Sequence, residues 1–403
     1  MTTQHRNLRT GQPIWLGKAA TGIKFDALMD DISVDVAILG AGISGALVAE
    51  GLTEAGYSVA IFDRRKPVMG STPASTALLQ FEIDMPLHHL AKHIGLNNAE
   101  RAWRRSKLAV DALRERTKDL GISCEMKDRD SLYIAGDVLD EKGLQKELLA
   151  RQRAGFETRF LSNDDLQSRF GIDRTAALMS FNNIEANPRK LALGYLNKAI
   201  DRGARIYAPV EVTFVEPRSR DVLAITKDGR KIRSKYLVSA TGYELPDYVP
   251  KKGHKIISTW ALATAPQRDK LWPERCLIWE ASDPYLYMRT TQDGRIIVGG
   301  EDEEFENEEK RDAKLKSKTN SILKKLKRMF PKITAEADYA WAGSFGSSST
   351  GLPSIGAIPG MDRCYAILGY GGNGITFSMV ASQLVRGLIT GTGDPDEDLF
   401  AFK

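Results

Sequence analysis

Cysteine is scarce in this chain: three among 403 residues (Cys124, Cys276 and Cys364), odd in number and far apart. That excludes a disulfide framework and a four-cysteine zinc site, and it fits a reducing, cytoplasmic setting. Long apolar runs are also missing. The most apolar stretch, Val36 to Leu52, is broken by Gly40, Gly42, Gly45 and Glu50, so no membrane span is expected. Residues 1–18 are polar and lack the apolar core of a secretory signal. There is no low-complexity tract and no repeat of 20–50 residues. Nor is there a strong charge bias: 57 basic residues face 52 acidic ones, a net charge of +5. The densest basic stretch, Lys310 to Lys332, carries Ile322, Leu323, Leu326, Met329 and Phe330 at helical spacing. It reads as an amphipathic helix with a solvated lysine face rather than a nucleic-acid surface.

What remains is ordinary for a large globular protein: 42% hydrophobic and 27% charged residues, in a length that suits two or three domains. Glycine, at 35 residues, is the informative component. Val34 to Leu39 predicts a buried strand. Gly40-Ala41-Gly42-Ile43-Ser44-Gly45 follows as a G-x-G-x-x-G, then a helix over Ala46 to Ala55, then a strand over Ser58 to Phe62 closing on Asp63. The order carries a physical logic. Gly40 permits a tight turn, Gly42 lets backbone approach a pyrophosphate, and Gly45 allows helix and strand to pack closely. The helix N-terminus presents free N–H groups to phosphate, and Asp63 suits a ribose hydroxyl pair. Arg64 and Arg65 leave room for a 2′-phosphate instead.

Further along, Tyr236 to Ala240 predicts a strand running into Thr241-Gly242. Upstream of it lie a β-ribbon (Val210 to Val215 and Val222 to Lys227) and a helix opened by Asn187-Pro188 and running to about Asp201. Near the C-terminus a strand over Cys364 to Leu368 enters Gly369-Tyr370-Gly371-Gly372-Asn373-Gly374, and a helix begins near Ile375. This is a second strand–glycine–helix passage suited to negative charge.

Together with Gly70-Ser71-Thr72-Pro73-Ala74-Ser75-Thr76-Ala77-Leu78-Leu79, the arm Arg295 to Gly300 and the stretch from Gly351-Leu352-Pro353 to Gly374, these segments resemble the FAD-dependent D-amino-acid oxidase superfamily. That group contains glycine oxidase, sarcosine oxidase and D-amino-acid dehydrogenase. The resemblance implies an α/β fold: a Rossmann-like FAD-binding domain of the glutathione-reductase type, with an interleaved sheet-based substrate domain. The expected division is an N-terminal arm (1–33) packing through Ile14, Trp15 and Phe25, a discontinuous FAD-binding domain (34–85, 155–250 and 342–395), and a substrate domain (86–154 and 251–341). Helices over Ala99 to Leu120 and Lys310 to Phe330 are expected to cover the substrate sheet.

The resemblance also implies roles. Gly40, Gly42 and Gly45 hold the pyrophosphate, and Asp63 the ribose. Ser71, Ser75, Thr76 and Ala77 line the ribityl and ring region, and backbone at Val212 meets the adenine. Thr241 and Gly242 form the turn behind the pyrophosphate. Gly371, Asn373, Gly374 and Ile375 aim N–H groups at the flavin pyrimidine, where reduction deposits charge. Ile43, Ser44, Arg64, Leu78, Gly372 and Thr376 adjoin these contacts and are grouped with them. No His or Cys stands where relatives attach flavin covalently, so a noncovalent FAD is expected.

The chain departs from the pattern at the substrate anchor. Glycine oxidase-like members carry an Arg about eleven residues before the Gly that closes P-x-I-G. Here that Gly is Gly356, and counting back gives Phe345. Tyr285, Tyr287 and Arg289 alternate on a strand and share a face, which makes Arg289 a candidate substitute clamp, the alternative being an exposed residue on a sheet edge. Tyr285, Arg289 and Tyr370 are the candidate catalytic residues. His88, His89 and His93 lack metal-ligand spacing, so no metal is expected. Glu82 reads as structural, Glu301-Asp302-Glu303 as a solvated turn, and Trp260, Trp272, Trp279 and Trp341 as core.

The function implied is oxidation of the C–N bond of a small amine or N-substituted amino acid to an imine, with hydride passing to flavin N5 and oxygen or another acceptor reoxidising the flavin. Two alternatives stay open: a flavoprotein subunit of a heteromeric dehydrogenase, and an NAD(P)H-using flavoenzyme.

Overall fold

The computed structural model describes residues 5–402. Its first sheet is built on apolar strands: Ile32–Leu39, Val59–Phe62, Arg205–Tyr207, Lys231–Ser239 and Cys364–Leu368 all run parallel. Val59–Phe62 and Cys364–Leu368 are buried throughout, the pattern of a parallel sheet covered on both faces. Ser354–Ala357 adds an antiparallel edge, and the ribbon Val212–Pro217 and Val222–Thr226 branches from Lys231–Ser239. Ile43–Glu54 is buried at eleven of its twelve positions because it is apolar on every side. It packs between the helices Pro188–Asp201 and Gly374–Thr390.

The second sheet has ten strands and is antiparallel except where Leu277–Glu280 meets Lys127–Ile134. Its centre is His254–Thr264, Ile296–Glu303, Leu286–Thr290 and Leu277–Glu280. The helix Leu315–Met329 covers it through Ile322, Leu326 and Met329. The chain is therefore an α/β protein of two interleaved sheets.

Three placements differ from the sequence expectation. Thr158–Ser162 and Ala176–Glu185, assigned by their position to the FAD-binding part, pair in the ten-stranded sheet, as do Leu78–Leu79 and residues 342–348. Periodicity marks a strand but not its partner, and the partners here are far away in sequence. The helix Leu96–Asp119 packs on Leu87–Ile94 and Gly374–Thr390 more than over the second sheet, with Trp103 set against Phe81 and Phe156. Finally, the arm contains a strand: Arg9–Gly11 pairs with residues 341–343 at the sheet edge, while Asp26 bridges to Tyr207 of the other sheet. Residues 1–4 of the arm lie outside the described residues.

Candidate active site

The parallel strands end together. Leu39, Phe62 and Ser239 are in register, so Gly40, Asp63 and Ala240 emerge side by side. This is the carboxyl edge where open α/β sheets bind ligands. Gly40 has φ +109°, and a Cβ there would lie 2.4 Å from the Ala240 carbonyl oxygen. A Cβ at Gly45 would lie 1.9 Å from the carbonyl oxygen of Gly40. We expect Gly45→Ala to force the turn open, costing about 1–3 kcal/mol as overpacking does and abolishing flavin retention. The ratio of flavin to protein absorbance after desalting checks this.

Neither helix that begins here is capped by its own N-cap residue. Ile43–Glu54 starts at Gly42 and Gly374–Thr390 at Asn373; Ile43 N donates to Thr72 Oγ1 at 3.1 Å, and the other first-turn N–H groups are left for a ligand. Asp63 accepts from Ala41 N at 2.7 Å and Arg65 N at 2.8 Å. Burial pushes its pKa up, opposed by those two N–H groups. Each carboxylate oxygen keeps a second lone pair for a ribose hydroxyl. Arg65 is bound to Glu244 at 2.5 and 2.6 Å, and Arg64 pairs with the same carboxylate. Both charges are thus engaged where the sequence left room for a 2′-phosphate.

From this edge a continuous cleft runs between the sheets, from the Gly40–Asp63 turn to Trp279, Tyr285 and Tyr287. Gly40, Gly42, Ile43, Ser44, Asp63, Arg64, Ser71, Ser75, Thr76, Ala77, Leu78, Val212, Thr241, Gly242 and residues 370–375 line it, as do Tyr285 and Tyr287. Gly45 and Thr376 stand just behind: Thr376 Oγ1 donates to Gln80 O at 3.1 Å. Three buried atoms on the wall have no partner within the protein, Gln80 Oε1, Thr241 Oγ1 and Trp279 Nε1. Orphaned polar atoms beside helix starts with free N–H groups and a buried carboxylate are what a dinucleotide would satisfy, so the residues fit FAD.

The loop over 80–84 is tied to the C-terminal glycine turn. Asn373 Nδ2 donates to Glu82 O at 2.6 Å, and Gly372 N donates to Asp84 Oδ2 at 2.7 Å. Burial pushes the Asp84 carboxyl up, against that N–H. Glu82 is fully buried and accepts from the Ser131 hydroxyl. Tyr370 is buried, with its hydroxyl 2.9 Å from Ser44 Oγ. Phe345 lines the cleft at the position where an arginine was sought.

Arg289 requires a correction. It follows Tyr285 and Tyr287 along the strand, but it lies beyond the cleft wall, in a niche with Trp15, Glu125 and Glu185. Its guanidinium is consumed: Nε donates to Thr76 O at 2.8 Å, Nη2 to Ala186 O at 2.8 Å, and Nη1 lies 3.2 Å from Glu185 Oε2. Burial lowers its pKa and Glu185 opposes that. Alternation fixes the face but not the distance along it, and the 74–77 segment intervenes. Arg289 therefore props that segment from behind. Two tryptophans do the same: Trp341 Nε1 donates to Ala74 O at 2.8 Å and Trp15 Nε1 to Ser75 O at 2.7 Å. Three consecutive carbonyls of the cleft wall are thus gripped by three buried donors.

The acidic turn is also different from expectation. Residues 301–303 end the strand Ile296–Glu303; Glu301 is buried and pairs with Lys318 and Lys325, and Glu303 with Lys314 and Lys318. Those lysines of the basic segment are thereby engaged rather than simply solvated. Asp302 faces inward to Thr259, and burial, aided by Asp84, pushes it up to about 7. Trp279 and Trp341 are buried, as a core reading expects, yet both also line the cleft. His88 pairs with Glu147, 2.6 Å from Nδ1. Among the described residues, no helix is long and apolar enough to cross a membrane.

Known proteins are similar to this chain. Gamma-glutamylputrescine oxidoreductase of Escherichia coli K12 is 24% identical over 388 residues, 92% of this chain and 87% of that protein. Glycine oxidase of Bacillus licheniformis is 23% identical, covering 92% and 96%. The crystal structure of glycine oxidase from Geobacillus kaustophilus superposes with a TM-score of 0.75 at 18% identity, covering 92% of this chain and 98% of that one, which shows the fold. The family model described as FAD dependent oxidoreductase, DAO, matches residues 35–388. With that match over most of its length, the chain belongs to the DAO family of FAD-dependent oxidoreductases.

Proposed function

We propose that the enzyme oxidises the C–N bond of a small amine or N-substituted amino acid to an imine. The observation that carries this reading is the continuity of the cleft, which joins the Gly40–Asp63 turn to an aromatic chamber formed by Trp279, Tyr285, Tyr287 and Tyr243. Bound FAD supplies the hydride acceptor. The protein's part is positioning and exclusion of water. The first-turn N–H groups and Asp63 orient the dinucleotide; the gripped segment 74–76 forms a fixed wall; the aromatic chamber shields the reacting carbon. Tyr285 and Tyr287 hold their protons, since burial and then the nearby carboxylates push both phenols up. They serve as hydroxyl donors, not bases. Tyr370 supports Ser44 at the helix start. Among the described residues the cleft wall holds no His or Cys, which supports a noncovalent flavin.

The test is anaerobic titration of the FAD-loaded protein with glycine, sarcosine, D-alanine, proline and polyamines. Bleaching of the flavin bands by one class, with all flavin released on denaturation, is expected. A flavin bleached by NAD(P)H and by no amine sinks the proposal.

A further inference from the structure

We infer that the substrate is a diamine-like molecule: one nitrogen reacts, a second is held as a cation by Asp84 within the aromatic chamber, and no carboxylate enters there. This rests on the proposed amine oxidation and narrows it.

The first ground is the distribution of charge along the cleft. Arg64, Arg65, Asp63, Glu211 and Glu244 all line its nucleotide end, and the two arginines are engaged by Glu244. In the chamber Asp84 is the single charged lining residue among those described. Phe345 supplies a ring and Arg289 is consumed behind the wall, so a substrate carboxylate would meet a like charge with no cation to bind it.

The second ground is the company Asp84 keeps. Trp279, Tyr285 and Tyr287 offer π faces, with the two tyrosine rings 5.3 Å apart and tilted by 42°. Rings around a carboxylate are a cation-recognising combination. Asp302 reinforces it from the next layer. It faces Thr259, whose hydroxyl is 3.5 Å from that of Tyr287, and its buried Oδ1 has no partner in the protein. Asp84 spends Oδ2 on Gly372 N and keeps Oδ1.

The third ground is chemical. A nitrogen whose α-carbon gives up hydride must be neutral, with its lone pair available. The ion favoured by two carboxylates is therefore not the reacting nitrogen but a second one.

The experiment compares three matched series on the FAD-loaded wild type: putrescine and cadaverine, butylamine and pentylamine, γ-aminobutyrate and δ-aminovalerate. Half-reduction of the flavin is expected at about tenfold lower concentration for diamines than for monoamines, with aminocarboxylates inert. Asp84→Asn should collapse the diamine-to-monoamine ratio, and Asp302→Asn should reduce it. A readout without turnover is tetramethylammonium, which has no lone pair to allow oxidation. It should shift the thermal midpoint of the wild type where acetate does not, and lose that effect in D84N. Should D84N not fold, the wild-type series and D302N still decide. Monoamines matching diamines, or aminocarboxylates reducing the flavin first, overturn this inference and leave amine oxidation standing. No reduction by any of the three series overturns this inference, and the titration with glycine, sarcosine, D-alanine and proline then decides separately whether amine oxidation falls with it.

Discussion

Replacing Arg289 with Met is expected to leave the purified protein without flavin and to lower its unfolding free energy by about 3 kcal/mol, at the low end of the cost of breaking a buried ion pair. The side chain is 3% exposed and Glu185 is 1% exposed. Its removal strands the carbonyls of Thr76 and Ala186 and half of the Glu185 carboxylate; Arg129 still holds Oε1 at 3.0 Å, which keeps the loss from being larger. The flavin effect follows from Thr76, one of three gripped carbonyls on the cleft wall. Lysine should not rescue it, because one ammonium cannot serve acceptors lying in three directions. Urea midpoints and flavin content measured together settle the matter. An R289M protein that stays yellow and stable but no longer responds to substrate would restore Arg289 as a clamp.

Glu147→Gln is expected to cost about 3–5 kcal/mol and to flatten the acid limb of the stability profile. Glu147 and Arg151 are fully buried one helical turn apart, with Nε to Oε1 at 2.8 Å, and Glu147 also accepts from Leu87 N, His88 N and His88 Nδ1. Arg151 lies over the Trp103 and Tyr133 rings at 4.8 and 5.5 Å. Burial alone would raise the carboxyl, but Arg151 and His88 overrule it and hold the pKa down to about 2, against an ordinary 4.5. A depressed folded value stabilises above the unfolded pKa and loses that contribution as pH falls towards the folded one. The wild type should therefore give up roughly 3 kcal/mol from this group between about pH 4.5 and 2, at 1.36 kcal/mol per unit. E147Q should lack that component. Equal acid slopes for the two proteins in urea melts between pH 5 and 3 would refute the assignment.

The nucleotide half of the site was legible because its information is local. Strand, glycines, helix, strand and acid occupy residues 32–63 in unbroken order, and each glycine has a steric reason. The substrate half was not, because its information is relational. Phe345 and Tyr285 could be flagged by position, but that Arg289 stops behind Thr76, or that Asp302 turns inward while its neighbours pair with lysines, depends on how far one strand runs past another. Glu147 and Arg151 drew no attention in the sequence, since an i, i+4 acid–base pair is common on exposed helix faces; only the packing of Trp103 and Tyr133 shows that this one is dry. Asp84 carried the weakest signal, one of two acids alternating after the flavin segment in Gln80-Phe81-Glu82-Ile83-Asp84, and becomes conspicuous only when the rest of the chamber proves to have no charge.

The pairing of Arg9–Gly11 with residues 341–343 also sets an order of events during synthesis. The earliest of these residues to leave the ribosome must wait for residue 343 of 403 before they have a strand to join. Until then Trp15 cannot reach Ser75 with its final geometry, and the cleft wall is one brace short. The turn 370–375 that lines the cleft follows later still, so the cleft is complete only once nearly the whole chain has left the ribosome.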